Sequence, residues 1–491
     1  MWIVGFKGGK RKSTMSLAEE QRVLAIRREE MEAITEKEMA KNVFKLAWPA
    51  TAEAILQTTI RIVTAALLGH IPVYSAMAVS ASGLADRIIR ISWALFAALG
   101  TGATVMIARS IGAGNKDLAN KFAAQTLVIG AIMFMSITAV MSAFSEQLIS
   151  VLYNWDQRLD AQLAQMAADY LRLVIWSVPF MAINQIISAV MRGAGNTVVG
   201  LITNTAANVA NVILGYVLIY GKLGASAMGV TGAAIATIIS QGIGAVIAIV
   251  IFFCVQKNIK VSFARFRFHF ERIKALFGIG IPHASEMLLM QFAQIILAGL
   301  IGSMGAVQLA AHTQGIIAES ISYMPAMGFS IAATTLIGMS VGVGSVKLSM
   351  RYFKVIMKWN LVLTTVTAAV LILIPRPVFS LLSNDNDVIA LGAIYLVIMG
   401  FCQFPQQSSG VFAGVLRGGG DNKVTLLISS IGCVGVRLPL CFLFANTFGW
   451  GIVGIWVAMA IDIVVRFVLF SSRYVSGKWK KTAILIAGDS D

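Results

Sequence analysis

Four acids carry the chemistry this sequence can perform: Glu53, Asp86, Glu286 and Glu319. Each interrupts a long apolar stretch. They form two pairs, because Glu53 and Glu286 stand 233 residues apart and so do Asp86 and Glu319. A charge at bilayer depth costs about a few kcal/mol or more, so it faces a cavity or a partner and marks a functional site by default. A carboxyl group withdrawn from water holds its proton more tightly and can exchange it near neutral pH. Sodium binding is the alternative at Glu286 and Glu319, and it needs several oxygens around one carboxylate. The sequence chooses neither ion.

Polar neighbours surround these acids at helical spacing. Glu53, Gln57, Arg61 and Thr64 fall within an arc of about 80° at 100° per residue. Gln308, His312, Gly315, Glu319 and Tyr323 make a comparable stripe. His283 precedes Glu286 by about one turn and Gln294 follows by two, while Asn204, Asn208 and Asn211 line one face. Structural readings compete at several positions. Asp86 with Arg90, Asp169 with Arg172 and Asp462 with Arg466 have the spacing of plain ion pairs. His312 suits proton transfer or a packed, hydrogen-bonded ring, and an Asn row serves equally as glue between helices.

The elements that position these residues must be membrane spans. The 491 residues are 57% hydrophobic and 13% charged, against roughly 25% charged in a soluble domain. Twelve apolar runs reach span length. A net charge of +16 reflects topology rather than nucleic-acid binding. Of the 39 Lys and Arg residues, 30 fall in the two tails and alternate loops. By the positive-inside rule both termini face the cytoplasm. Cys254, Cys402, Cys433 and Cys441 show no metal-ligand spacing and read as small buried hydrophobes. No P-loop is present, so neither ATP drive nor a cofactor is expected.

The expected fold is all-α and integral to the membrane, with twelve transmembrane helices in two six-helix lobes related by a parallel internal repeat. Expected segments are a cytoplasmic lead over 1–42 with one amphipathic helix at about 17–40, an N-lobe over 43–254, a basic linker over 255–275, a C-lobe over 276–472 and a tail over 473–491. Pro49 to Glu53 answers Pro282 to Glu286, and Arg192-Gly193-Ala194-Gly195-Asn196 answers Arg417-Gly418-Gly419-Gly420-Asp421 at an offset of 225. Parallel repeats with an even number of spans share an axis along the membrane normal.

Five phrases carry a family resemblance: Gly100-Thr101-Gly102-Ala103-Thr104, Ala310-Ala311-His312, Glu319 to Pro325, Arg192 to Thr197, and Arg417 to Asp421. Together, in order and on twelve spans, they resemble the multidrug and toxic compound extrusion (MATE) transporters of bacterial type over about 43–475. The resemblance implies a cation-driven antiporter, not an enzyme, that exports amphiphilic or cationic compounds from a cavity between two lobes in exchange for H⁺ or Na⁺. It implies departures as well. Thr64 and Gly215 stand where relatives carry aspartates, and Gln403, Gln406 and Gln407 occupy the span where some carry an acid.

The readings that compete are a flippase or exporter of lipid-linked or anionic metabolites, and a membrane protein without transport. Expected partners are membrane lipid and a small-molecule substrate, with no nucleic acid, in a monomer placed in the cell membrane. Two pairings are expected: Glu286 close to Glu319 in a C-lobe cavity, and Glu53 working against Arg61 or Arg90.

Overall fold

The computed structural model describes residues 17–71, 75–155, 161–224, 226–255, 259–261 and 267–482, and all regular structure among them is helical. A polar helix, α1 (Leu17–Glu32), precedes the spans. The N-lobe comprises α2 (Glu36–Gly69), α3 (Ser75–Gly112), α4 (Lys116–Ala143), the short α5 (Ser145–Trp155), α6 (Ala161–Val174) continued by α7 (Val178–Gly193), α8 (Val198–Tyr220) and α9 (Gly229–Val250). The C-lobe repeats the plan with α10 (Phe270–Gly302), α11 (Ala306–Gly342), α12 (Val346–Leu373), the short α13 (Pro375–Ser380), α14 (Asn386–Gly418), α15 (Asn422–Ser430) running through wider turns into α16 (Leu438–Phe442), and α17 (Gly451–Val475). Eleven helical stretches are long and apolar enough to cross a membrane. The twelfth span is α2, which carries Glu53 and Arg61. The chain is a multi-pass membrane protein of two six-helix lobes.

Helix boundaries follow local chemistry. Asn115 caps α4 by accepting from the Leu118 amide at 2.9 Å, and Ser345 caps α12 by accepting from the Leu348 amide at 3.0 Å. These caps are counterparts in the repeat and open the third span of each lobe. A helix without such an acceptor leaves its first amides unpaired.

The lead segment differs from expectation. Two helices, not one, occupy 17–40. Thr35 adopts extended backbone (φ −71°, ψ 157°) and forms a capping box with Glu38, which starts α2 afresh. From Glu36 onward the helix runs unbroken into the first span, so no boundary falls at residue 42. α1 also has no apolar face to lay on a membrane. Instead it crosses the ends of both lobes. Arg27 donates to the Ile111 carbonyl at 2.9 Å, and Glu32 accepts from Ser345 Oγ at 2.5 Å. Arg351 donates to the Glu32 and Ile34 carbonyls at 2.5 and 2.7 Å.

This end of the molecule, where α1 and the basic turns gather, is called the basic end. Here α3 packs on α10 and α11, and α2 packs on α11. Met39, Val43 and Leu46 of α2 enter one cluster with Phe329, Leu336 and Tyr352 of the C-lobe. Two glycines on each side allow the backbones to touch. A Cβ on Gly102 would lie 2.2 Å from the Leu276 carbonyl oxygen, and one on Gly280 would lie 2.2 Å from that of Ala98. Small residues at such crossings let helices approach closely. Lys257, Arg265, Asp156, Arg158 and Asp160, which carried part of the topology argument, lie outside the described residues.

Candidate functional site

Glu53 lies buried in the middle of α2 and is met by three groups. Asn204 of α8 donates to its Oε1 at 3.1 Å, Gln57 one turn along donates at 3.5 Å, and an Arg192 nitrogen from the end of α7 stands 3.6 Å away. Gly200 leaves the room for this, since a Cβ there would lie 2.6 Å from Glu53 Oε2. The Asn204 amide orientation is set by its neighbours. Its nitrogen also donates to the Gly200 carbonyl at 2.9 Å, and its oxygen accepts from Asn184 at 3.4 Å. A carbonyl can only accept, so the nitrogen must point toward it and toward Glu53.

The other asparagines of α8 join helices. Asn208 donates to the Leu56 carbonyl at 3.0 Å, and Asn211 accepts from Thr64 at 3.3 Å while donating to Thr237 and Ser240 at 3.3 and 3.1 Å. Of the three, only Asn204 touches an acid.

Glu286 in α10 is the counterpart of Glu53. Ser429 of α15 donates to its Oε1 at 2.7 Å, and His283 Nδ1 stands 3.5 Å from Oε2. Neither Oε2 nor His283 Nδ1 has a hydrogen-bond partner, so this distance is an approach of charges rather than a bond. The charge of Arg417, at the end of α14, bears on both Glu286 and His283. Ser429 follows Asn204 by 225 residues, and Arg417 follows Arg192 by 225. Each lobe therefore repeats one arrangement: a buried carboxylate, an arginine that ends the fourth span, and a polar donor from the fifth.

The second pair of acids has its own partners. Tyr395 of α14 donates to Glu319, and its ring packs edge-on against Trp456 and His312 at 5.3 and 6.0 Å. Trp456 Nε1 donates to His312 Nδ1 at 3.3 Å, so this ring nitrogen is the acceptor and Nε2 carries the hydrogen in the neutral ring. Tyr323 acts on Tyr395 electrostatically. In the N-lobe, Asp86 acts likewise on Tyr170, which precedes Tyr395 by 225 residues. Arg437 pairs with Asp462 at 2.6 Å, and Arg466 pairs with it at 2.9 Å.

The MatE family model matches residues 49–217 and 282–443. The chain belongs to the MatE family of membrane transporters. The probable multidrug resistance protein NorM of Thermotoga maritima is 31% identical over 91% of this chain and 95% of its own length. The uncharacterised transporter YisQ of Bacillus subtilis is 26% identical over 89% of this chain and 94% of its own length. A solved structure described as MATE in the bent conformation superposes with a TM-score of 0.82, at 20% identity, covering 94% of this chain and 98% of that one. The MatE fold thus extends over both lobes, and MatE proteins are transporters rather than enzymes.

Within this MatE transporter two expected pairings are corrected. Glu286 and Glu319 do not share a site: Ser429, His283 and Arg417 attend the first, while Tyr395 and Arg437 attend the second. The two helices meet end to end through a short turn but send these side chains to different neighbours. A sodium ion held jointly by both acids finds no support in this geometry. Among the described residues no cluster of three or more His, Cys, Asp or Glu could hold a metal ion. Glu53 does not work against Arg90, which is exposed, and the Arg61 side chain lies outside the described residues. Arg192 takes that place because α7 ends beside the middle of α2. Gln294 is half-buried.

Sequence reasoning missed Arg192, Arg417, Ser429, Tyr170 and Tyr395 as site residues. Their signal was present as the common offset of 225. It had been noticed for the arginine motifs and attributed to the repeat alone.

Proposed function

We propose that this MatE transporter exports amphiphilic or cationic organic compounds by alternating access, in exchange for protons bound at Glu53 and Glu286. The observation that carries the ion choice is the donor set around Glu53. Asn204 and Gln57 present N–H groups to the carboxylate, and Arg192 adds a positive charge. A sodium ion needs oxygens aimed inward, and these neighbours aim hydrogens instead. A carboxylate so surrounded is stabilised while charged and loses its donors' support when it takes a proton. The substrate class rests on the likeness to relatives named as multidrug resistance proteins.

The charge asymmetry supports cytoplasmic termini and a basic end inside the cell. The same reading puts the chain in the cell membrane as a lipid-surrounded monomer, with lobes divided near residues 255–275. Export of anionic or lipid-linked compounds was motivated by arginines inside spans. Arg437 and Arg466 are neutralised by Asp462, and Arg172 by Glu146 and Asp169, which leaves that reading weaker.

The test is efflux of ethidium from proteoliposomes under an imposed pH gradient or an imposed sodium gradient. Efflux driven by the pH gradient and lost in Glu53→Gln and Glu286→Gln is expected. Efflux driven only by sodium would overturn the ion choice. Transport of anionic or lipid-linked probes in place of ethidium would overturn the substrate class.

A further inference from the structure

The arginines that attend the two acids sit on the segments where the lobes touch. Thr335 of the C-lobe donates to the carbonyl of Arg192 at 3.4 Å. Arg109 of the N-lobe donates to the carbonyl of Gly418, the residue after Arg417, at 3.0 Å. So the ends of α7 and α14 each carry two contacts. The side chain faces an acid in its own lobe, and the backbone receives a side chain from the other lobe. Met339 completes the first contact, since a Cβ on Gly195 would lie 3.1 Å from its Cε.

We propose that Arg192 and Arg417 are positioning residues that couple the charge of Glu53 and Glu286 to cohesion of the lobes at the basic end. The proposal rests on proton exchange at those acids. When Glu53 takes a proton, Arg192 loses its counter-charge, the end of α7 is freed to shift, and the Thr335 contact weakens. The C-lobe acts in the same sense through Glu286, Arg417, Gly418 and Arg109. The groups facing Glu53 are Arg192 from α7, Asn204 from α8 and Gln57 from α2 itself. Those facing Glu286 are His283 from α10, Ser429 from α15 and Arg417 from α14.

Arg109 makes this contact easy to tip. It is 7% exposed, and its Nε and Nη1 have no partner. Unpaired buried donors of a guanidinium are costly, and lobe separation would return them to water. The closed contact is therefore held against a standing penalty, and a change at the acid shifts a balance that is already close.

Spin labels at Lys116→Cys and Lys347→Cys, in a Cys254→Ser background, report the separation of the lobes at the basic end. The wild-type protein should show a growing open fraction as pH falls. Arg192→Gln should abolish the part of this response that Glu53→Gln abolishes, and Arg192→Lys should restore it. Thr335→Val, which leaves the acid untouched, should raise the open-to-closed ratio at neutral pH by about fivefold or more, the lower end of usual coupling strengths. Glu53→Gln losing the response while Arg192→Gln and Thr335→Val behave as wild type would overturn the coupling and leave proton exchange standing. A wild-type response in Glu53→Gln would overturn proton exchange at that acid and the coupling built on it.

Discussion

Gly112 of α3 and Gly342 of α11 mirror one another across the boundary between the lobes. A Cβ on Gly112 would lie 2.1 Å from the Met339 carbonyl oxygen, and a Cβ on Gly342 would lie 2.1 Å from that of Arg109. Each glycine follows its repeat counterpart's contact residue by the same step, so the pseudo-two-fold axis passes between them. Neither carbonyl can move aside without displacing its helix.

Replacing Gly112 or Gly342 by Ala should therefore push the lobes apart at the basic end. Overpacking of this kind costs about 1–3 kcal/mol. Maleimide labelling of Lys116→Cys should accelerate in either variant, with little further gain when both are combined. Unchanged labelling would show that this approach does not hold the lobes together.

Gly200 sets the fit of Glu53. Gly200→Ala places a methyl group 2.6 Å from Glu53 Oε2, which displaces the carboxylate from Asn204. Efflux should fall by about tenfold or more, the effect of roughly 1.4 kcal/mol, while the melting temperature changes by a few degrees at most. Full transport by this variant would remove the Asn204 contact from the mechanism.

Asp462 balances two arginines, Arg437 and Arg466, inside the C-lobe. Asp462→Asn leaves two buried positive charges uncompensated. Breaking a buried pair in this way costs about 3–5 kcal/mol, so a large drop in melting temperature is expected. A stable variant with an altered pH profile of efflux would instead assign Asp462 to coupling.

Docking of α1 should depend on pH through Glu32. The Ser345 hydroxyl first, and Arg28 next, hold its carboxyl below the usual range. A depressed folded-state pKa contributes stability above the unfolded value and loses it as pH falls through the folded one. The contribution is complete at neutral pH and disappears below about pH 4. Hydrogen exchange of the α1 amides should rise over that acid window, and Glu32→Gln should exchange fast throughout. Equal protection at all pH values in both proteins would detach Glu32 from docking.

Spans and lobes were legible because hydropathy and charge asymmetry act over whole segments. The four acids were legible because a carboxylate in an apolar helix is rare and these recur in register. Their partners were not. Glu53 and Arg192 are 139 residues apart, and only packing of α7 against α8 and α3 brings the arginine to α2. Asp86 and Arg90 had ideal helical spacing, yet Arg90 turns outward. Spacing along one helix shows which groups can meet, and neighbouring helices decide which do. The break at Thr35 was hidden for a different reason, since a capping box begins a helix just as well between two helices as after a loop.

Proton release on substrate binding tests the central claim most directly. Purified protein in weak buffer with a pH indicator is mixed with ethidium at a pH where Glu53 and Glu286 are partly protonated. The account predicts release of protons by the wild-type protein, less in either single Gln variant, and none in the double variant Glu53→Gln with Glu286→Gln. Equal release by the wild type and the double variant would contradict it.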